Sequence, residues 1–191
     1  MVRYRDMVKR APKPLLESCL EYVLDNGLHG LSLRPLGAAV GVSDRMLMYH
    51  FGSKDGLVRQ IVESANERLM LHVGQFRSEG NAQTATAVRR AWSFLTGTEG
   101  SRISVLYLEL CSLSTRDPVR WAPAFRQLRA SWTASLGPNE LGDAMRTLIV
   151  DAVDGLLLDR LTTGDAERVD AALDALLALL ENGSTAPEPT S

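Results

Sequence analysis

Leu16, Cys19, Leu20, Val23 and Leu24 recur at i, i+3, i+4, i+7 and i+8, one face of an amphipathic helix, which Asn26-Gly27 closes. The period returns along nearly the whole chain. Ser32 caps a second helix carrying Leu33, Leu36 and Val40, and Gly41 breaks it. Ser43 caps a third over 44–50, carrying Met46 and Leu47. After Gly52-Ser53 a long helix, 54–78, turns Val58, Ile61, Val62, Ala65, Leu69, Val73 and Phe76 to one side. Helical periods continue over 82–96, 101–114, 118–136, 139–163 and 165–182, with Gly80-Asn81, Gly97, Gly100, Gly137-Pro138 and Gly164 falling between most of them. No segment alternates as a strand does. The pattern predicts an all-α protein of about nine helices. An N-terminal three-helix bundle spans 1–52, a helical body spans 53–182, and a Ser/Thr/Pro-rich tail over 183–191 is expected to be disordered.

Residues 32–51 form a helix-turn-helix within this pattern. Gly41 supplies the positive φ that the turn needs, and Val42 plugs the small core behind it. Gly37 and Ala38 are small where the two helices cross. With Ser43 as its cap, the third helix can point its first turn into the DNA major groove. There Arg45 can fork onto a guanine edge or grip a phosphate. Asp44 can accept from a cytosine amino group or orient Arg45. Ser32, Tyr49, His50 and Lys54 suit phosphates, which set register without reading sequence. Arg34 and Met46 complete the candidate DNA-binding set. Helices also meet at a glycine in ordinary helical cores, so it is the fixed join to the next helix that favours the DNA-binding reading.

Composition adds little but excludes much. The net charge of −2 divides into +3 over residues 1–60 and −5 over the rest, a basic head on an acidic body. No apolar run approaches the roughly 20 residues of a membrane span, and no signal-type segment follows the basic start, so a cytoplasmic protein is expected. Cys19 and Cys111 lie far apart in helical patterns and read as buried, reduced thiols. His29, His50 and His72 make no metal-type pair, and there is no phosphate loop or nucleophile elbow. Asp151, Asp154 and Asp159 scatter around one helix. No catalysis, metal or cofactor is expected.

Gly41-Val-Ser, Leu47, Tyr49-His50-Phe51, Ser53-Lys54 and Leu57, with the Leu31-Ser-Leu33 approach, resemble the DNA-binding signature of the TetR family of bacterial regulators, over about residues 14–62. Two departures stand out. Met48 occupies the place where that family has Tyr, so one phosphate contact is lost or moved to Tyr49. Gly37 stands where the family tends to have Ala, which softens its helix by up to roughly 1 kcal/mol.

The resemblance implies a regulator, by family default a repressor, that binds a palindromic operator as a homodimer. It also implies that the body is a ligand-binding and dimerisation domain. Helices 139–163 and 165–182 carry the broadest apolar stripes and are the candidate dimer surface, or else they only close the monomer core. The effector is expected to be small and apolar or aromatic, and helix 54–78 is expected to link its pocket to the DNA-reading head. Phe76, Trp92, Tyr107, Trp121, Phe125 and Trp132 are candidates for that pocket, with plain packing as the alternative for each. Glu109, inside an apolar run, needs a partner: a cationic ligand, Arg126, Arg129 or solvent.

Overall fold

The computed structural model describes residues 12–74, 81–136 and 142–182. These form nine helices: α1 (Lys13–Asn26), α2 (Leu33–Ala39), α3 (Asp44–Phe51), α4 (Lys54–Gly74), α5 (Asn81–Leu95), α6 (Thr98–Arg116), α7 (Pro118–Ser135), α8 (Asp143–Thr163) and α9 (Ala166–Asn182). Among the described residues there is no strand, and the protein is all-α as the periodicity predicts. The expected tail over 183–191 and the candidate Phe76 lie outside the described residues. Gly100 falls inside α6 rather than between helices. A Cβ there would meet the Phe94 carbonyl oxygen at 1.9 Å, so the close approach of backbone, not a helix break, requires the glycine.

The chain packs as two units. The first runs through Arg68 and includes Val105–Phe125; the second takes Leu69–Ser104 and the chain from Arg126 onward. In the first, Leu16, Cys19, Leu20 and Val23 of α1 are buried together with Leu36 of α2, Leu47 and Phe51 of α3, and Leu57, Val58 and Ile61 of α4. Full burial of these side chains is worth roughly 1.5–3 kcal/mol each, which holds helices too short to stand alone. Polar links tie α4 to α1. Arg68 donates to Glu17 at 2.5 Å and Glu21 at 2.6 Å, and Ser64 donates to Glu17 at 3.1 Å. Cys19 is fully buried, and burial pushes its thiol up to about 11, so it stays protonated and unreactive at neutral pH. Cys111 is only half-buried, a correction to the expected full burial: on α6 it lies one position past the inward-facing Leu110.

The second unit is built on α5, α8 and α9. Ala85, Val88, Trp92, Ile149, Leu157, Val169, Leu173 and Leu177 make its core. Trp92 satisfies its indole N–H by donating to Asp170 at 2.8 Å, and Arg160 donates to the same oxygen at 2.6 Å. Asp151 and Asp154 both accept from Arg129, and Asp159 accepts from Arg168 at 2.8 and 2.9 Å. Asp151, Asp154 and Asp159 of α8 are thus bound to arginines of their own chain.

Candidate nucleic-acid interface

Two serine caps and one uncapped start shape the helix-turn-helix and the helix behind it. Ser43 Oγ accepts from Met46 N–H at 3.2 Å and Ser53 Oγ from Gly56 N–H at 2.9 Å, so α3 and α4 both begin on serine N-caps. Ser32 precedes α2 in an extended conformation but makes no side-chain cap bond, and its carbonyl instead accepts from Leu36 N–H at 3.2 Å. Its hydroxyl is therefore exposed and uncommitted to the helix. The turn at Gly41 has φ +75°, the positive value the sequence required. Gly37 has a further reason to lack a side chain. Its carbonyl accepts from Val42 N–H at 2.9 Å, and a Cβ on Gly37 would stand 2.6 Å from the Val42 carbonyl oxygen. The softening of α2 is the cost of a tight turn.

Leu47 and Phe51, four residues apart, anchor α3 to the core. The opposite face is open: Arg45 and Tyr49 at its centre, Met46 and Met48 along its edges, Asp44 at its start, all exposed. Asp44 Oδ1 accepts from the Arg45 backbone N–H at 2.8 Å, so one of its oxygens serves the first turn of the helix and the other is available outward. His50 is half-buried and meets the Tyr49 ring edge-on, with centroids 5.1 Å apart. Arg34 and Lys54 are exposed at the starts of α2 and α4. Met48, which sequence reasoning left outside the candidate set, belongs to this open face.

Two contacts hold α6 and α7 to the head, both within the first unit. Leu28 N–H, just past the end of α1, donates to Glu109 Oε2 at 2.6 Å. On α7, Arg120 grips both oxygens of Asp55 in the first turn of α4, its Nε at 2.6 Å. The hydrogen bonds from Arg120 hold the Asp55 carboxyl below the ordinary carboxylate range against a weaker opposing push from burial. These partners lie 81 and 65 residues apart in sequence, beyond any local signal.

An apolar cavity of about 80 Å³ lies in the second unit. Leu69 and Met70 of α4, Val88 and Leu95 of α5, Trp132 of α7 with Leu136 just past its end, and Ile149, Val153 and Leu157 of α8 line it, with Ser135 and Asp154 among the polar groups. Of the residues expected to form a pocket, Trp132 lines this cavity. Trp92 is instead in the α5–α9 core, bonded to Asp170. Tyr107 and Phe125 stack on one another at 5.7 Å in the first unit. Trp121 is buried there under the Arg120 guanidinium, and Glu109 accepts from the Leu28 backbone N–H. Helical spacing shows which side chains face inward, not which of them border a gap.

A short-turn helix pair, the open outer face of its second helix and a serine-capped helix behind it define a helix-turn-helix in an all-helical chain. Residues 15–61 match the family model for bacterial regulatory proteins, tetR family. None of the curated protein sequences matches the chain. Solved structures share its fold. A transcriptional regulator from Rhodococcus sp. Rha1 is 22% identical, with TM-score 0.73 over 92% of this chain and 99% of its own. The multidrug binding protein EbrR, complexed with proflavin, is 22% identical, with TM-score 0.67 over 88% and 98%. FadR from Bacillus subtilis, in complex with stearoyl-CoA, is 15% identical, with TM-score 0.62 over 88% and 96%. Among the described residues no helix is long and apolar enough to cross a membrane.

Proposed function

We propose that this protein is a dimeric, effector-responsive repressor that reads a palindromic operator with α3. The observation that carries the reading is the open face of α3, where Arg45 and Tyr49 stand out opposite the buried Leu47 and Phe51. Arg45 supplies base readout. Lys54, Arg34, Ser32, Tyr49 and His50 hold backbone phosphates and fix the register.

The dimer is assigned to α8 and α9. Met145, Leu148, Ala152 and Gly155 share one stripe of α8, with Leu158 at its edge, and Ala172, Ala175 and Leu179 share one of α9. Leu148 is 57% exposed and Leu179 71%, too open for side chains whose role is to close a monomer core. Two α3 helices set one DNA turn apart, roughly 34–36 Å, then read the two half-sites.

The effector site is assigned to the cavity. Its apolar walls suit an apolar or aromatic molecule, and relatives of the same fold hold proflavin and stearoyl-CoA. About 80 Å³ is less than the roughly 150 Å³ of an engineered cavity that takes benzene. A ring-sized effector therefore has to part the walls. α4 gives Leu69 and Met70 to those walls and begins at Lys54 in the reading head, so it is the element able to carry the change. The effector lowers DNA affinity only by as much as it prefers the released state.

Selection of DNA from a random pool, followed by binding across a salt series, tests the reading. Arg45→Ala is expected to cost about 1–3 kcal/mol and to relax specificity at its base pair. Lys54→Ala should weaken all sequences alike and lower the salt slope by about one. Unchanged binding in both variants would refute it.

A further inference from the structure

Met46 and Met48 are 44% and 41% exposed, on a helix of eight residues whose core anchors are already Leu47 and Phe51. Single apolar side chains on a surface need no explanation. Here two large ones flank Arg45 and Tyr49 on the face that the proposed function turns to DNA. Neither is needed to fold the head, and exposing both to water brings the helix no stability.

A thioether has one weak acceptor and no donor. It cannot take the bidentate bonds by which guanine and adenine are read, and it gives nothing to a phosphate. Among the four bases, only thymine offers an apolar group in the major groove, its C5-methyl. Met is unbranched, with three rotatable bonds and a polarisable sulfur, so it can mould itself to a methyl beside a groove wall. The two edges of α3 thus carry apolar contacts on either side of a polar centre.

We propose that Met46 and Met48 read thymine methyl groups flanking the base pair that Arg45 contacts. This rests on the DNA-reading assignment of α3 and adds the sequence class that it selects. Each operator half-site contains thymines whose methyl groups, not their hydrogen-bonding edges, contribute to recognition.

Deoxyuridine isolates that group, because it lacks the methyl and keeps every hydrogen-bonding atom. A fragment selected by the wild-type protein is prepared with each half-site thymine replaced in turn by deoxyuridine. Affinities are measured by fluorescence anisotropy at one salt concentration. At one or more positions per half-site, removal of the methyl should weaken wild-type binding about fourfold, the worth of one buried methyl-sized group. The Met46→Ala/Met48→Ala variant, changed only at exposed sites, should keep its thermal melt and bind the thymine and uracil forms equally.

The proposal is overturned if wild-type protein binds all uracil forms as tightly as the thymine form. It is equally overturned if the double variant keeps the full methyl effect, which would place the contact on another side chain. Failure to select any fragment would sink the DNA-reading assignment as well. Selection with no methyl effect removes this inference alone.

Discussion

Glu109 works at the end of α1 as a side-chain cap supplied from a distant helix. Leu28 has left the helix, is buried, and cannot use its N–H in a helical bond, so the carboxylate oxygen at 2.6 Å meets a donor that would otherwise be stranded. Space for it exists because Gly27 has no side chain: a Cβ there would stand 2.6 Å from Glu109 Oε1. Glu109→Ala is expected to destabilise the protein by about 1–3 kcal/mol, the cost of a buried donor left without its acceptor. Glu109→Gln, which keeps a carbonyl oxygen, should lose less. Urea unfolding gives the energies, and hydrogen exchange at the Leu28 amide locates them. An amide equally protected in wild type and Glu109→Ala would show that the bond does not form. The residue's chemistry was legible in the sequence, since a carboxylate in an apolar run has to find a partner. The identity of the partner was not, because nothing local connects positions 28 and 109.

At the scale of elements, the contrast between α3 and the α6–α7 segment shows what local signals can carry. The head was legible because its determinants are short-range: Leu47 and Phe51 four apart, Ser43 and Ser53 three residues before the amides they cap, Gly41 at the turn. Residues 105–125 join the same packing unit through contacts that a linear order of helices does not reveal. The grip of Arg120 on Asp55 is one of them, and it has a pH signature. Because the Asp55 carboxyl is held below its ordinary value, the contribution of the pair to stability is complete above the unfolded value of about 4 and is lost as pH falls through the depressed folded value. The stability gap between wild type and Asp55→Asn should therefore be constant from pH 8 to about 5, then close on further acidification. Urea melts at a series of pH values measure it. A gap that persists unchanged at pH 2.5 would mean that the carboxylate charge plays no part. Salt should narrow the gap too, since Arg120 lies at the surface.

For the whole molecule, the question is what one chain can read by itself. Under the proposed function, the eight residues of α3 reach too few base pairs to single out a site in a genome, so that reading requires two heads at fixed separation. The proposed dimer face fits this need in its composition. Ala172 and Ala175 on α9 and Gly155 on α8 let helices approach closely, and Leu148 and Leu179 supply area, each worth roughly 1.5–3 kcal/mol when fully buried. Neither leucine belongs to the core cluster formed by Ile149, Leu157, Val169, Leu173 and Leu177, so both can be changed without opening the body. Leu148→Asp combined with Leu179→Glu should therefore leave helicity and the thermal melt of the subunit close to wild type while shifting sedimentation equilibrium from dimer to monomer. The monomer should bind a single half-site as wild type does and lose at least tenfold in affinity for the complete palindrome, because only the linkage between heads has gone. A double variant that remains dimeric would move the interface elsewhere on the body. One that is monomeric yet binds the palindrome at full strength would remove the reason for having a dimer at all.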